Sequence, residues 1–313
     1  MGKKKFTGVS QFLARFRGWI QAGAALLTNL HLPNFLKGRL YQGAGKTVCV
    51  PGLNCYSCPA ASGACPIGAF QAVVGSSKSS FSYYITGILI LLGVLLGRFI
   101  CGFLCPFGWF QELLHKIPSR KLSTRKLKPL RYLKYAILLV MVFLLPAFLV
   151  NDVGMGDPFF CKYLCPQGVL EGAIPLSLAN SGIRAALGSL FTWKFGILLV
   201  VIVLSVLFYR PFCKWICPLG AFYALLNKVS LVQMKVDQSK CISCGKCAKA
   251  CKMDVDVTKS PNHTECIRCG MCVRACPTNA VRFRCGFGTG KQGTVLPEKT
   301  NKQMNDIVKE KKS

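Results

Sequence analysis

Negative charge is what this 313-residue chain has least of: 11 Asp and Glu stand against 40 Lys and Arg, a formal net charge of +29. So basic a chain first suggests nucleic acid, but the Lys and Arg lie between apolar runs and in the two tails. No basic recognition helix is formed, which excludes nucleic acid as the partner. Histidine is scarcer still, with only His31, His115 and His263, none inside a long apolar run, so paired ligands for a membrane b-type haem are lacking. No C-x-x-C-H offers a haem attachment site, and no Rossmann glycine fingerprint announces a flavin or nicotinamide domain. GAGKT at 43–47 ends like a phosphate-binding loop, yet Leu40 stands where that loop needs its first glycine. MGKKKF is followed by only a weak apolar stretch with no small-residue cleavage site, and it lacks the Ser or Thr of a myristoylation signal.

What is present is apolar. Hydrophobic residues make up 52% of the chain, and with basic loops this gives an α-helical membrane protein rather than a soluble one. Three stretches are expected to span: 83–100 (YYITGILILLGVLLGRFI), 132–150 and 191–209. At about 1.5 Å per residue each reaches roughly 27 Å, close to the hydrocarbon thickness. A fourth candidate, 19–32, is short, and an interfacial or re-entrant segment competes with a span there. The fold class is therefore three to four transmembrane helices plus the C-terminal module described below. The connection after the first long run carries Lys116, Arg120, Lys121, Arg125, Lys126, Lys128, Arg131 and Lys134 against Glu112, which places it in the cytoplasm. The connection 151–190, with Asp152, Asp157 and Glu171 against Lys162 and Arg184, belongs outside. Everything after the third span returns to the cytoplasm.

Nineteen cysteines remain to be explained, and spacing favours metal over disulfides. CISCGKCAKAC supplies Cys241, Cys244, Cys247 and Cys251, and CIRCGMCVRACP supplies Cys266, Cys269, Cys272 and Cys276, each as C-x2-C-x2-C-x3-C. This is the pattern of a bacterial two-cluster ferredoxin, an α+β module in which the fourth thiolate of each run crosses to the other [4Fe-4S] cluster. Cys241, Cys244, Cys247 and Cys276 are thus assigned to one cluster, and Cys266, Cys269, Cys272 and Cys251 to the other. Lys252 stands where the pattern usually has proline, and Lys246, Lys249, Arg268 and Arg274 add positive charge nearby. That charge would raise a cluster's potential, or else only solubilise the domain or face anionic lipid.

A second device repeats at the ends of the apolar runs. C-P-x-G occurs at Cys65, Cys105, Cys165 and Cys217, and three of these have another cysteine four residues earlier, at Cys101, Cys161 and Cys213. A C-x3-C pair on a helical turn puts both thiols on one face, so two motifs could close a four-thiolate site. By the topology above, Cys101, Cys105, Cys213 and Cys217 make one cytoplasmic-face set, with zinc or unligated thiols as the alternatives. Cys49, Cys55, Cys58, Cys65, Cys161 and Cys165 lie outside; four of the six could hold a second membrane cluster, and a disulfide among them competes. Cys285 is expected to be an ordinary thiol.

Helices ending in CGFLCP and CKWICP, followed by the eight ferredoxin cysteines, resemble the membrane-bound 4Fe-4S polyferredoxins associated with periplasmic nitrate reductase and nitrous-oxide reductase systems. The resemblance implies a prokaryotic cytoplasmic-membrane electron carrier, quinol-linked or ferredoxin-linked, and an electron-transfer subunit rather than a stand-alone enzyme. The CYSCPAASGACPIG segment and the CKYLCP motif go beyond its minimal two-motif pattern, and the flavin-binding outer domain of the nitrous-oxide type is absent. The domains expected are 1–82, a basic segment with the short membrane candidate and a Cys-rich loop; 83–232, the transmembrane domain; 233–284, the ferredoxin domain; and 285–313, a disordered basic tail. Membrane lipid, an acidic soluble carrier such as ferredoxin or flavodoxin, and other redox subunits are the expected partners. A maturation factor and a redox sensor need the same ligands and are the rival readings.

Overall fold

A 27-residue helix, α1 (Gly2–Thr28), opens the chain in a computed structural model that describes residues 2–76, 82–150 and 156–286. The tail beyond 286 and Asp152, both used in the expectations above, lie outside these residues. Along α1 the buried positions are Ser10, Ala14, Arg17, Gln21, Ala24 and Thr28, small or polar side chains, while Phe12, Phe16, Trp19, Leu26 and Leu27 face outward. That is the reverse of a soluble helix, whose apolar stripe turns inward. An outward apolar face backed by a small and polar seam suits hydrocarbon. The candidate span 19–32 falls in the second half of α1, which stops at Thr28 where its carbonyl accepts from Ser62 N at 3.0 Å and Asn54 Nδ2 at 3.2 Å.

The Cys-rich loop then leads into α2 (Pro66–Gly75), and the next helix, α3, covers Tyr83–Leu95. The run expected to span over 83–100 is therefore shorter than composition suggested. Gly97 takes φ +54, which turns the chain, and Arg98 beyond it is fully buried before α4 (Phe99–Phe103) begins. After α5 (Pro106–His115) comes α6 (Leu127–Phe148), whose turns widen over Leu138–Leu144 just ahead of Pro146, which has no N–H to close the ladder. The helical turn α7 (Phe160–Leu164), α8 (Val169–Ala179) and α9 (Ser189–Leu207) follow. Among the described residues α6 and α9 are the two helices long and apolar enough to cross a membrane. Leu139, Val140, Phe143 and Leu144 on α6, and Leu199, Val200 and Val203 on α9, are exposed.

Two short helices, α10 (Pro211–Trp215) and α11 (Pro218–Leu226), carry the chain to the C-terminal module. There β1 (Val232–Val236) pairs antiparallel with β2 (Val281–Cys285), from Val232 opposite Cys285 to Val236 opposite Val281. The sheet brackets both thiol runs and the short helices α12 (Lys246–Ala250) and α13 (Met271–Ala275). The N-terminal half of α1 lies across it: Phe283 N donates to Ser10 Oγ at 3.1 Å, and Ala14 shares a core with Phe103, Met234, Val273 and Phe283.

Scarce carboxylates fasten this module to the helices. Glu265 takes both Lys134 Nζ, at 2.6 Å, and Arg98 Nη1, at 2.9 Å. Asp254 takes Arg131 at 3.2 Å and Lys214 at 3.3 Å. Asn227 sews the same junction, donating to His263 O at 2.8 Å and Cys266 O at 3.1 Å while accepting from Arg98 N at 3.1 Å.

Candidate metal centres

The C-P-x-G repeat is a helix N-terminus built around a thiol. Cys65, Cys105 and Cys217 each have extended backbone immediately before a helix that starts with proline. Cys217 Sγ accepts from Gly220 N at 3.3 Å, and the Gly68 and Gly108 amides serve Cys65 and Cys105 in the same way. Proline occupies the first turn, where a missing N–H costs nothing, and the positive helix end faces the sulfur. Without metal the thiols are held protonated. Burial first, then the neighbouring thiols Cys213 and Cys101, push Cys105 up to about 12.

Cys101, Cys105, Cys213 and Cys217 are brought together: all are buried, and Cys217 lies in electrostatic range of Cys213 and Cys101 and, more weakly, of Cys105. Gln111 locks the set by donating Nε2 to Cys213 Sγ at 3.1 Å while its Oε1 accepts from Phe212 N at 3.2 Å. Two fully buried arginines close the surroundings. Arg210 donates to Cys101 O, and Arg98 Nη2 lies 3.5 Å from Cys213 O. Arg98 Nε and Arg210 Nη2 have no hydrogen-bond partner among the described residues. Orphaned cationic donors beside four thiols are what a net-negative thiolate cluster would satisfy.

On the far side the six outer thiols sort themselves. Cys165 feels Cys161, Cys55 and Cys65, and Cys65 in turn feels Cys161 and Cys55. A Cβ placed on Gly68 would meet Cys161 Sγ at 3.7 Å, and one on Gly168 would meet Cys55 Sγ at 3.6 Å. Cys55, Cys65, Cys161 and Cys165 therefore form this set. Cys58 is drawn aside to Asn29 Oδ1 at 3.6 Å, and Cys49 is held by a backbone bridge to Ala64. Gln71 repeats the role of Gln111: it donates to Cys161 Sγ at 3.2 Å and accepts from Phe160 N at 3.0 Å. Lys46 of GAGKT bonds Tyr56 O and covers the Tyr56 ring, so it anchors the Cys-rich loop.

These glutamines escaped the sequence reading, yet a longer repeat carries them. CPIGAFQ and CPFGWFQ end in Gln71 and Gln111, while FCKYLCP and FCKWICP supply the partner pairs. The sixth residue after the Cys-Pro cysteine is Glu171 in the third motif and Tyr223 in the fourth. Glu171 accepts from Cys55 N at 3.0 Å, and fully buried Tyr223 donates to Pro51 O at 3.0 Å, in a segment where a Gly52 Cβ would meet Cys105 Cα at 2.8 Å. Tyr223 feels Cys101, Cys65 and Cys105, which puts it between the two sets.

In the C-terminal module Cys241, Cys244, Cys247 and Cys276 line one cavity, and Cys272 feels Cys269, Cys266 and Cys251. The halves match in backbone. Positive φ occurs at Ser243, Gly245 and Asp254 in one and at Arg268, Gly270 and Asn279 in the other. Val255 N donates to Cys251 Sγ at 3.4 Å and Ala280 N to Cys276 Sγ at 3.3 Å. Such turns point successive amides inward and make concavities for anions, iron–sulfur clusters included. Arg268, expected on a basic face, is instead buried, donating to Leu96 O at 3.0 Å and to Asn227 O. Lys246, Lys249, Lys252 and Arg274 are exposed.

The sets adjoin one another. Gly102, next to Cys101, presses on Ile267 O and lies so that its Cβ would sit 3.7 Å from Cys269 Cα. All nineteen cysteines are free thiols, and among the described residues no three His, Cys, Asp or Glu side chains converge on a single metal ion. A cubane asks for a wider set, since each thiolate takes a different iron, and four thiols around an amide-lined space fit it.

Two families of 4Fe-4S binding domain match the chain, one over residues 63–83, 80–125, 134–174 and 190–237, the other over 234–255 and 260–282. An uncharacterized protein of Methanocaldococcus jannaschii is 28% identical over 182 residues, 55% of this chain and 66% of that protein. The putative electron transport protein YccM of Escherichia coli is 28% identical over 179 residues, 54% of this chain and 45% of its own. The ferredoxin-type protein NapH of Haemophilus influenzae is 27% identical over 183 residues, 56% of this chain and 54% of its own. The match thus spans from under half to two-thirds of these relatives' lengths. No solved structure matches. With the thiol repeats and these likenesses together, the chain belongs to the membrane polyferredoxin-type family of 4Fe-4S proteins.

Proposed function

We propose that this protein is a multi-pass electron carrier of a prokaryotic cytoplasmic membrane, with two [4Fe-4S] clusters in the ferredoxin domain and two more between the helices. The observation that carries this is the row of adjoining four-thiol sets: Cys241, Cys244, Cys247 and Cys276; then Cys266, Cys269, Cys272 and Cys251; then Cys101, Cys105, Cys213 and Cys217; then Cys55, Cys65, Cys161 and Cys165. When bound, such clusters supply one-electron redox change. The chain's own residues would hold the stations and set their surroundings, with Gly102 beside Cys101 packed on the Cys269 segment and Tyr223 between the two helix sets. The adjoining placement of the four sets supports conduction from one to the next.

The topology supports the direction of the row. The N-terminal end of α6 and the C-terminal end of α9 lie on the ferredoxin side, with Arg131 bonding Met253 O at 3.0 Å and the α10 residue Lys214 bonding Lys252 O at 2.7 Å. The opposite end of α9 reaches the outer thiols, Lys194 donating to Cys161 O at 3.0 Å. With basic loops on the ferredoxin side, that side is cytoplasmic. Exposed Lys246 and Lys249 beside the Cys241 cavity suit an acidic soluble carrier, and the far station faces a redox partner in or beyond the membrane. Anaerobic purification followed by iron analysis and EPR of the reduced protein tests the reading. About sixteen irons per chain are expected, four for each set, and about eight would reduce the protein to a tethered two-cluster ferredoxin.

A further inference from the structure

A cleft opens where α1, α5 and the ferredoxin loops meet, and five cations line it: Arg15, Arg17, Lys116, Lys252 and Arg274. The one carboxylate on its wall, Glu112, is already engaged by Arg17 and by buried Arg210, whose Nε lies 2.9 Å away. None of Arg15, Lys116, Lys252 and Arg274 enters an ion pair among the described residues. Lys252 instead rests over the Tyr209 ring at 5.2 Å. The four cations with no carboxylate partner repel one another across the cavity and favour an anion between them.

The neighbouring surface says which anion. Arg15 sits on the same outward side of α1 as exposed Phe12, Phe16 and Trp19, and Leu113 of the cleft wall and Ile117 beyond it are exposed on the facing element. An apolar surface therefore runs up to a basic mouth. Inorganic phosphate would use only the cations, and an acidic protein tail would leave the aromatic surface uncovered. A molecule with a phosphate at one end and acyl chains at the other uses both.

We infer that this cleft seats the phosphate headgroup of an anionic phospholipid, with its chains along α1. Cys269 is on the cleft wall, so the bound phosphate sits beside the second ferredoxin thiol set and lowers the potential of a cluster held there. That last consequence rests on the proposed electron-carrier function; the binding itself does not.

The test uses the full chain in nanodiscs of phosphatidylcholine alone or with phosphatidylglycerol, beside the double variant Lys116→Gln, Arg274→Gln. Lipid carried through delipidation is counted by native mass spectrometry, and the EPR signals are titrated with potential. Wild type should retain phosphatidylglycerol, and the variant should retain it about 25-fold more weakly, at roughly fivefold per cation removed. The ferredoxin signal should titrate lower in phosphatidylglycerol discs, and only for wild type. Equal retention by the two proteins overturns the site, as does retention of phosphatidylcholine equal to that of phosphatidylglycerol. Inorganic phosphate reproducing the shift in phosphatidylcholine discs would make it a free-phosphate site and overturn the lipid assignment. Absence of cluster signals would strike the electron-carrier reading while leaving the retention result to stand.

Discussion

Glu265→Gln is the sharpest perturbation of the junction between helices and ferredoxin domain. The glutamine keeps the shape but removes the carboxylate charge that Arg98 and Lys134 share, both of them fully buried. Burial alone would raise the Glu265 carboxyl, and Arg98 and Lys134 overcome it, holding the group down at about 2, so the wild-type side chain is charged under all working conditions. Removing one member of a buried pair costs about 3–5 kcal/mol because the partner is left uncompensated. Here two partners are left, which argues for the upper end. At about 1.4 kcal/mol per tenfold, the junction should open roughly two to three and a half powers of ten more often. Hydrogen–deuterium exchange of the segments 94–100 and 262–270 in detergent reads this directly, with EPR confirming that the ferredoxin clusters are loaded. Lys134→Met, which leaves the Arg98–Glu265 pair intact, should cost less. Wild-type exchange in a loaded Glu265→Gln protein would refute the reasoning.

Two further outcomes follow from the thiol sets. Cys55→Ser should lose about four irons per chain and one EPR signal, whereas Cys58→Ser, whose thiol turns to Asn29, should keep all of them; the reverse pattern would reassign the outer site. Gln111→Leu removes an N–H···S bond from Cys213 and should lower the potential of that site alone by the order of 40 mV, taking about 1 kcal/mol for the bond and 59 mV per tenfold. Gln71→Leu should do the same to the outer site, and redox titration separates the two.

The ferredoxin module was readable because its ligands are local: three of the four thiols in each set lie within seven residues, and turn geometry does the rest. The membrane sets were half readable. C-x3-C-P announced pairs, and topology matched Cys101 and Cys105 with Cys213 and Cys217. Nothing in spacing could choose Cys55 over Cys49 and Cys58, because the first motif has Ala61 where the others place their leading cysteine and a loop must bring a substitute. Hydropathy read 83–100 as one span and missed the break at Gly97, since the cause is tertiary: the chain turns so that Arg98 can reach Glu265. It also undersold α1, whose buried face is small and polar and so scores poorly, though the outward face is aromatic and aliphatic.

The shortage of acidic residues takes on a structural meaning inside the protein. Three carboxylates each serve two buried or half-buried cations: Glu112 holds Arg17 and Arg210, Glu265 holds Arg98 and Lys134, and Asp254 holds Arg131 and Lys214. Six cations against three anions would be a costly interior if nothing else balanced it. Of the surplus, Arg98 and Arg210 lie against Cys101, Cys105 and Cys213. Neutral thiols offer them no charge, while the same sulfurs in a net-negative cluster would. On the proposed reading, charge balance inside the helices would come from loading the membrane site, and part of the basic composition that first suggested nucleic acid would be counter-charge to iron–sulfur centres.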